Sequence, residues 1–370
     1  MNKTKPKILL SGGGTGGHIF PAVAIADALK HKYPDAEILF VGAKGRMEME
    51  RVPQAGYNIK GLWISGFQRK LDKRNLAFPF KLISSLLGAR KIIKCFKPEV
   101  AIGTGGYASG PTLYMASRKG VPTLILEQNS YPGITNRLLS KTVDTVCVAY
   151  PGMEKYFDKN KLVVTGSPIR VQISRSNITK KEARDFFHLD HKKPTMLVIG
   201  GSQGALGINR AVSAIIKQLC ELGLQILWQT GIDSFGESEK LVNDNKLSDC
   251  VFVHKFIMRM EMAYAAGDFV VSRAGAIALA EIVQLEKPAI FIPLPTAAED
   301  HQTKNAMSLV DGGAALILNE KEAPNKLLPL VNHFMLDEDK KSELIRNIRD
   351  FKTPDATKAI VDQVVKLLKR

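Results

Sequence analysis

The sequence predicts an α/β protein with two doubly wound parallel-sheet domains, and three observations lead to this prediction. Short apolar runs alternate with helical patterns along the chain, which is typical of parallel βαβ units. Glycine-rich turns follow several of these runs. The second half of the 370 residues begins like the first, with an apolar run, a glycine turn and a helical pattern. We place the domains at residues 1–167 and 168–345, and we expect the last segment, 346–370, to pack back toward the first domain.

The first glycine turn reads SGGGTGGH at residues 11–18 and lies between an apolar run and a helical pattern. Gly12, Gly14 and Gly17 satisfy G-x-G-x-x-G, a pattern whose backbone amides can approach a phosphate at a helix N-terminus. His18 follows directly, where such a turn opens toward a crevice. The alternative is a turn that only packs strand against helix, but that role does not require five glycines.

The second strand argues against a dinucleotide site. Such a site needs an acidic residue at the end of this strand to hold the ribose. The strand, 37–41, ends in Gly42 and has no acid at its tip. The turn therefore favours another phosphate-bearing ligand.

Polar or glycine-rich segments follow two further strands of the first half. The predicted strands are 7–10, 38–41, 100–102, 123–126, 145–149 and 162–165. Ligands of parallel sheets bind at the carboxyl ends of the strands. A second glycine turn, GTGGYASGP at 103–111, follows the third strand, and Glu127-Gln128-Asn129 follow the fourth. Glu127 could equally cap the next helix, yet the three segments together predict a binding site at this edge.

The second half repeats the alternation after a polar helix at 180–188. Its predicted strands are 196–199, 226–229, 251–253, 269–271 and 289–292. A third glycine turn, GGSQGA at 200–205, opens another helix, and SRAGA at 272–276 opens the next. Each is a helix N-terminus that can bind an anion.

Charge is concentrated in the first half of the chain. The formal net charge is +16, and residues 1–167 contain 25 of the 52 Lys and Arg but only 11 of the 36 Asp and Glu. We expect this half to face an anionic membrane surface. Nucleic acid is disfavoured because no nucleic-acid-binding module is recognisable.

The strongest basic and aromatic stretch lies at 60–97. The residues predicted to face the membrane are Lys70, Lys73, Arg74, Phe78, Phe80 and Lys81. Basic and aromatic residues of this kind bind anionic lipid. The alternative is an amphipathic helix with a solvated basic face.

Cofactor and redox motifs are absent from the sequence. The cysteines Cys95, Cys147, Cys220 and Cys250 form no CxxC pair, so we expect reduced thiols in a cytosolic protein. Neither a signal peptide nor a membrane-spanning run is expected. Neither a metal nor a cofactor is expected.

The chemistry then falls to His18, Glu127, Glu281 and the helix N-termini. Positive helix ends can stabilise a diphosphate leaving group. A histidine can take a proton from an attacking hydroxyl.

Seven motifs in order resemble those of one enzyme family. They are GGGTGGHIFPAVAIA, GTGGYASGP, EQNSYPGITN, TGSPIR, GGSQGALGIN, SRAGAIALAE and HQTKNA. The chain resembles the MurG family of UDP-N-acetylglucosamine–N-acetylmuramyl-(pentapeptide) pyrophosphoryl-undecaprenol N-acetylglucosamine transferases over essentially its whole length. The resemblance implies a GT-B fold, with two Rossmann-like domains facing one cleft. It also implies inverting transfer of GlcNAc from UDP-GlcNAc to the muramyl 4-hydroxyl of lipid I, the undecaprenyl-diphosphate-linked muramyl pentapeptide, giving lipid II for peptidoglycan synthesis.

The resemblance also implies roles for individual residues. His18 would be the general base or would position the acceptor diphosphate, and Glu127 is the rival base. Gly13, Gly14 and Tyr107 would meet the acceptor. The donor contacts would come from Thr15, Gly16, Gly17, Asn129, Arg170, Ser202, Ile257, Ala276, Ile277, Ala278, Leu279, Ala280, Glu281 and Gln302, with Glu281 on the ribose hydroxyls. Ala274 and Thr303-Lys304 depart from the commonest motif, which leaves the local loop geometry open.

The resemblance places the enzyme peripherally on the cytoplasmic face of the inner membrane, with cell-wall synthesis proteins as further partners. Two other hypotheses stay open. The first is another GT-B enzyme that uses a UDP-sugar, such as a glycolipid synthase or a UDP-GlcNAc 2-epimerase. The second is a non-catalytic protein that binds an anionic membrane or RNA through its basic half.

Overall fold

The computed structural model describes residues 5–66, 77–170, 173, 177–201, 204–353 and 355–369. The chain divides into two compact units. Unit 1 comprises Met1–Arg170 and Thr353–Arg370, and unit 2 comprises Val171–Lys352.

Strands and helices alternate through both units. The strands are β1 (Lys7–Gly12), β2 (Glu37–Ala43), β3 (Asn58–Leu62), β4 (Val100–Gly105), β5 (Thr123–Glu127), β6 (Thr145–Val148), β7 (Leu162–Val164), β8 (Thr195–Ile199), β9 (Gln225–Gln229), β10 (Val251–His254), β11 (Phe269–Ser272), β12 (Ala289–Phe291) and β13 (Leu316–Ile317). The helices are α1 (Gly16–Lys32), α2 (Glu48–Gln54), α3 (Phe78–Phe96), α4 (Ser109–Arg118), α5 (Ile134–Leu139), α6 (Lys180–Phe186), α7 (Leu206–Glu221), α8 (Ile232–Asp244), α9 (Met260–Ala266), α10 (Ala276–Gln284), α11 (His301–Val310), α12 (Ala323–Leu336), α13 (Glu338–Ile348) and α14 (Ala356–Leu368).

Each unit contains one fully parallel sheet, and the two sheets share a strand order. Unit 1 has the order β3-β2-β1-β4-β5-β6-β7, and unit 2 has β10-β9-β8-β11-β12-β13. In both, the chain runs outward in opposite directions from a central pair, β1 and β4 or β8 and β11. Loops that leave such a pair diverge and open a crevice at the carboxyl ends of the strands. The predicted pair of Rossmann-like sheets is confirmed.

Helices cover both faces of the unit 1 sheet, which explains why its strands are continuous apolar runs. Ile8 and Leu10 belong to a core that includes residues of α1 and α14. Leu9, which points to the other face, belongs to a core with residues of α3 and α4. The strand period of two therefore divides one short run between two layers.

The last helix returns to the first unit. α14 lies against α1, and its buried residues Ile360, Val361, Val364 and Leu367 join the same core as Ile8. The Asp355 side chain caps this helix by accepting a hydrogen bond of 2.9 Å from the Lys358 amide. The first unit is therefore completed only by the end of the chain.

The structure shows that the prediction of four reduced thiols is wrong. Cys220 and Cys250 form a disulfide, with their Cα atoms 6.0 Å apart. Cys220 lies in the last turn of α7, and Cys250 directly precedes β10. Both pack against the core of unit 2. Because the fold brings together residues 30 positions apart, their spacing carried no signal. Cys95 and Cys147 are free, and burial raises the pKa of the Cys147 thiol to about 12.

Candidate active site

The first glycine turn leads directly into an uncapped helix N-terminus. Gly14 has φ +85°, a left-handed conformation that favours glycine. α1 begins at Gly16, and no side chain caps it at Thr15. The first amides of a helix have no intrahelical partner and carry partial positive charge. The start of α1 is therefore suited to bind an electron-rich group of a ligand. The predicted donor-binding residues Thr15, Gly16 and Gly17 all lie at this helix start.

The backbone of Thr104, the residue before the end of β4, orients His18. The His18 Nδ1 atom lies 2.8 Å from the Thr104 carbonyl oxygen. A carbonyl can only accept, so Nδ1 carries the proton and Nε2 is the unprotonated nitrogen of the neutral ring. Thr104 is fully buried, and its hydroxyl donates to the His18 carbonyl at 2.7 Å. The buried Gln128 amide also donates to the Thr104 carbonyl, at 2.8 Å. His18 is thus held in the tautomer that a general base requires.

Glu127 is held in a different way. Its side chain is 2% exposed, and its two oxygens accept four hydrogen bonds. Oε1 accepts from the Asn129 amide and the Asn129 side chain, both at 3.0 Å. Oε2 accepts from the Gly133 amide at 3.0 Å and from Asn136 Nδ2 at 2.9 Å. The carboxylate therefore organises the loop after β5 and fixes Asn129, which favours an anchoring role over that of the base.

Three more predicted residues lie in unit 1. The Gly13 amide donates to the Gly105 carbonyl at 3.3 Å, which joins the two glycine turns. Tyr107, on the second turn, is exposed. Arg170 has its guanidinium 5.8 Å from the centre of the Phe20 ring on α1. Gly13 and Tyr107 therefore lie on the turns that follow β1 and β4, and Arg170 lies beside α1.

In unit 2, Gln229 ties the third glycine turn to the segment that follows β10. Its side-chain amide donates to the Gly201 carbonyl at 2.8 Å, and its oxygen accepts from the Ile257 amide at 2.8 Å. The Ile257 amide therefore already has a partner, so a ligand could bind the Ile257 backbone only through its carbonyl oxygen. Ser202 lies outside the described residues. Burial lowers the pKa of His254, the last residue of β10, which favours the neutral ring.

The predicted nucleotide-lining run forms the first turns of α10. Its members are Ala276, Ile277, Ala278, Leu279, Ala280 and Glu281. No side chain caps α10 at Gly275, so this helix also offers an N-terminus. Glu281 is 1% exposed and accepts a hydrogen bond of 3.0 Å from the buried Tyr264 hydroxyl.

Two side chains, those of Gln302 and Arg273, hold the loop after β12. The Gln302 side-chain oxygen accepts from the Leu294 amide at 3.0 Å. The buried Arg273 side chain donates to the Ile292 and Pro293 carbonyls, both at 3.0 Å, and forms an ion pair with Glu320. Arg273 therefore links the segments that follow β12 and β13 at the carboxyl end of the unit 2 sheet.

The predicted membrane-facing residues divide into two groups. Lys70, Lys73 and Arg74 lie outside the described residues. Of the others, Phe78 is half-buried and Phe80 is 70% exposed. Lys81 donates to the Ser65 hydroxyl at 3.0 Å and lies 5.8 Å from the centre of the Trp63 ring.

Local sequence patterns do not indicate several of the residues that support the site. Thr104, Gln229 and Tyr264 each hydrogen-bond to a predicted site residue from a distant part of the chain, whereas Arg273 binds the carbonyls of Ile292 and Pro293 after β12. Thr104 lies inside a quoted motif, so its proximity to His18 was the one relation that motif order could have indicated. Arg273 also lies inside a motif, SRAGAIALAE, but its ion pair with the distant Glu320 follows from the fold, and Gln229 and Tyr264 lie in none of the seven motifs.

Comparison with known proteins identifies the family. The glycosyltransferase family 28 N-terminal domain matches residues 8–148, and the family 28 C-terminal domain matches 195–360. A relative from Christiangramia forsetii is 49% identical over 98% of both chains, and one from Cytophaga hutchinsonii is 49% identical over 100% of this chain and 99% of its own. Both are named UDP-N-acetylglucosamine–N-acetylmuramyl-(pentapeptide) pyrophosphoryl-undecaprenol N-acetylglucosamine transferase. A crystal structure of MurG from Acinetobacter baumannii superimposes with a TM-score of 0.78 at 29% identity, over 98% of this chain and 99% of that one. The predicted resemblance and the GT-B fold class are confirmed, and the chain belongs to glycosyltransferase family 28 and, within it, to the MurG family of N-acetylglucosamine transferases.

Proposed function

We propose that this chain transfers GlcNAc from UDP-GlcNAc to the muramyl 4-hydroxyl of lipid I, with inversion at the sugar, and so forms lipid II. Relatives named for this reaction match the chain from end to end at 49% identity. The observation that carries the proposed chemistry is the hydrogen bond from His18 to the Thr104 carbonyl. It supports a histidine base, which is what a single in-line displacement by a hydroxyl requires.

In the proposed mechanism His18 Nε2 takes the proton of the attacking hydroxyl. The new bond forms between that oxygen and the sugar C1, and the bond from C1 to the UDP oxygen breaks, so negative charge develops on the diphosphate. Helix N-termini stabilise such charge without moving. Those of α7 and α10 in unit 2 are our candidates, with Ser202 and Arg170 as additional donors.

Unit 2 residues would hold the rest of the donor. The carbonyl of Ile257 would accept from the uracil, since its amide already donates to Gln229. Glu281 would accept hydrogen bonds from the ribose hydroxyls. Because Glu281 is buried, the ribose would have to come close to the first turns of α10. Gln302 would position the loop after β12 against the sugar. In unit 1, Asn129 would contact the GlcNAc from a position fixed by Glu127.

We also infer that α3 of unit 1 meets an anionic membrane. Phe80, Ile83 and Leu87 recur at helical spacing on α3 and are exposed, while the buried positions are Ser85, Ala89 and Ile93. If α3 instead exposed a basic face to solvent, the positions of Phe80, Ile83 and Leu87 would carry charged side chains. An exposed apolar stripe near basic side chains is typical of helices that lie in a membrane interface. No helix of the described ranges is long and apolar enough to cross a bilayer.

A peripheral position on the cytoplasmic face of the inner membrane follows from this proposal, because the lipid acceptor would be drawn from that surface. Partners among the cell-wall synthesis proteins stay a prediction of the resemblance.

The test of the function uses labelled UDP-GlcNAc and a short-chain lipid I analogue. We expect label in the lipid product. Conversion to UDP-ManNAc without transfer would instead identify an epimerase, and absence of both transfer and UDP binding would contradict the proposal.

The membrane proposal is tested by cosedimentation with vesicles of anionic lipid. Replacing Phe80, Ile83 and Leu87 with Ser should lower binding by about a thousandfold or more when all three side chains enter the lipid, since each fully buried apolar side chain contributes roughly 1.5–3 kcal/mol. The control variant replaces with Ser the residues Ile232, Met258 and Leu336, which are more exposed than the α3 residues but lie in unit 2. Equal loss in both variants would contradict a specific membrane face.

A further inference from the structure

A buried carboxylate lies beneath the first glycine turn. Glu48 is the first residue of α2, and it is 1% exposed. Its Oε2 accepts from the Gly14 amide at 2.8 Å, and its Oε1 accepts from the Ala43 amide at 2.9 Å. One side chain therefore joins the end of β2 to the turn that follows β1, across 34 residues of sequence.

Two glycines make room for this carboxylate. A Cβ atom on Gly42 would lie 2.5 Å from the Glu48 Cγ atom, and one on Gly13 would overlap the carboxylate itself. Any side chain at either position would push Glu48 away from Gly14. Gly42 ends the apolar run of the second strand without an acid, and Glu48 supplies a carboxylate at that strand end from the next helix.

This contact determines which amides the turn can offer. A buried carboxylate is costly unless hydrogen bonds satisfy it, so the Gly14 amide is committed to Glu48 and points inward. The same bond holds Gly14 at φ +85°. A phosphate could not share that amide, because the carboxylate would repel it. The amides at the start of α1 are the ones that remain to a ligand.

We propose that Glu48 is a positioning residue for the acceptor. It fixes the turn at Gly13 and Gly14, and the acceptor meets this turn without using the Gly14 amide. This inference rests on the proposed function, in which the turn faces lipid I and the donor is held mainly by unit 2. Glu48 itself does not contact either substrate.

The test measures kcat and KM for each substrate separately in Glu48→Gln. A glutamine can accept from only one of the two amides and presents its NH2 group to the other. We expect kcat/KM for the short-chain lipid I analogue to fall by about tenfold or more, as loss of a buried hydrogen bond implies. The KM for UDP-GlcNAc should stay within about twofold. Gly42→Ala displaces Glu48 sterically without changing it, and it should give the same pattern if Glu48→Gln does not fold.

Asp144→Asn is the matched control. Asp144 also accepts from a backbone amide, that of Thr123 at 2.8 Å, but it lies at the amino ends of the unit 1 strands, away from the turn. Its substitution should leave the KM values for UDP-GlcNAc and for the lipid I analogue near those of the wild type. The inference is overturned if Glu48→Gln retains the wild-type kcat/KM for the lipid I analogue. It is also overturned if kcat/KM falls equally for the donor and the acceptor in Glu48→Gln and in Gly42→Ala. Inactivity of the wild-type enzyme would instead refute the proposed function.

Discussion

Replacing Glu127 with Gln should destabilise unit 1 while leaving the general base in place. The carboxylate accepts from four donors: the Asn129 amide and side chain, the Gly133 amide and the Asn136 side chain. A glutamine has one oxygen, so it keeps two of these bonds and its NH2 group faces the other two donors. A buried donor left unsatisfied costs roughly 1–3 kcal/mol, so two of them cost about 2–6 kcal/mol.

Hydrogen-exchange mass spectrometry can assign this loss to the segment from β5 to α5, because it reports local opening free energies. Glu154→Gln serves as the control, since Glu154 is exposed in the same unit. Activity should fall because Asn129 moves, but the decline of kcat/KM at low pH that a histidine base produces should persist. Unchanged protection together with loss of that decline would identify Glu127 as the base and refute the anchoring role.

Three other expectations address unit 2. Tyr264→Phe removes the hydroxyl that donates to Glu281 and should weaken UDP binding by roughly 0.5–1.5 kcal/mol. Calorimetry that finds no change would show that this hydroxyl does not orient a nucleotide-binding carboxylate. Burial lowers the pKa of Lys287 from 10.5 to about 8, so the unfolded chain holds the proton more tightly and stability should rise between pH 8 and 10.5. Urea titrations should show this rise, about 3 kcal/mol in all, in the wild type but not in Lys287→Met. Reduction of the Cys220–Cys250 disulfide should cost about 3–4 kcal/mol for its loop length, and four free thiols in the unreduced, denatured protein would contradict the bond.

Sequence patterns predicted most of the framework because the central strands are buried on both faces. The runs at 8–10 and 196–199 are apolar throughout, and each is followed by glycines and a helical period. Two of the four edge strands, β3 and β13, were missed for the opposite reason. β3 reads Asn58–Leu62 with alternating polar residues, and β13 contains two residues only, so neither produces an apolar run.

The candidate site residues could be singled out from the sequence, but the residues that support them could not. His18 lies in the first turn of α1 and Glu127 ends β5, and both belong to motifs that local sequence reveals. The tautomer of His18 depends on Thr104, 86 residues away, and the conformation of Gly14 depends on Glu48. Such contacts follow from the strand order, which places β4 and β2 on either side of β1. A linear pattern does not encode that neighbourhood, and the same holds for the pairing of Cys220 with Cys250.

The most direct test of the account compares turnover with donor affinity in His18→Ala. The side chain hydrogen-bonds to Thr104 within unit 1, while the donor is assigned mainly to unit 2. We expect kcat for transfer to the lipid I analogue to fall by about 10²-fold or more, as loss of a general base implies, with the Kd for UDP near that of the wild type. A loss of UDP affinity that matches the loss of turnover would make His18 a donor ligand and contradict its assignment as the base.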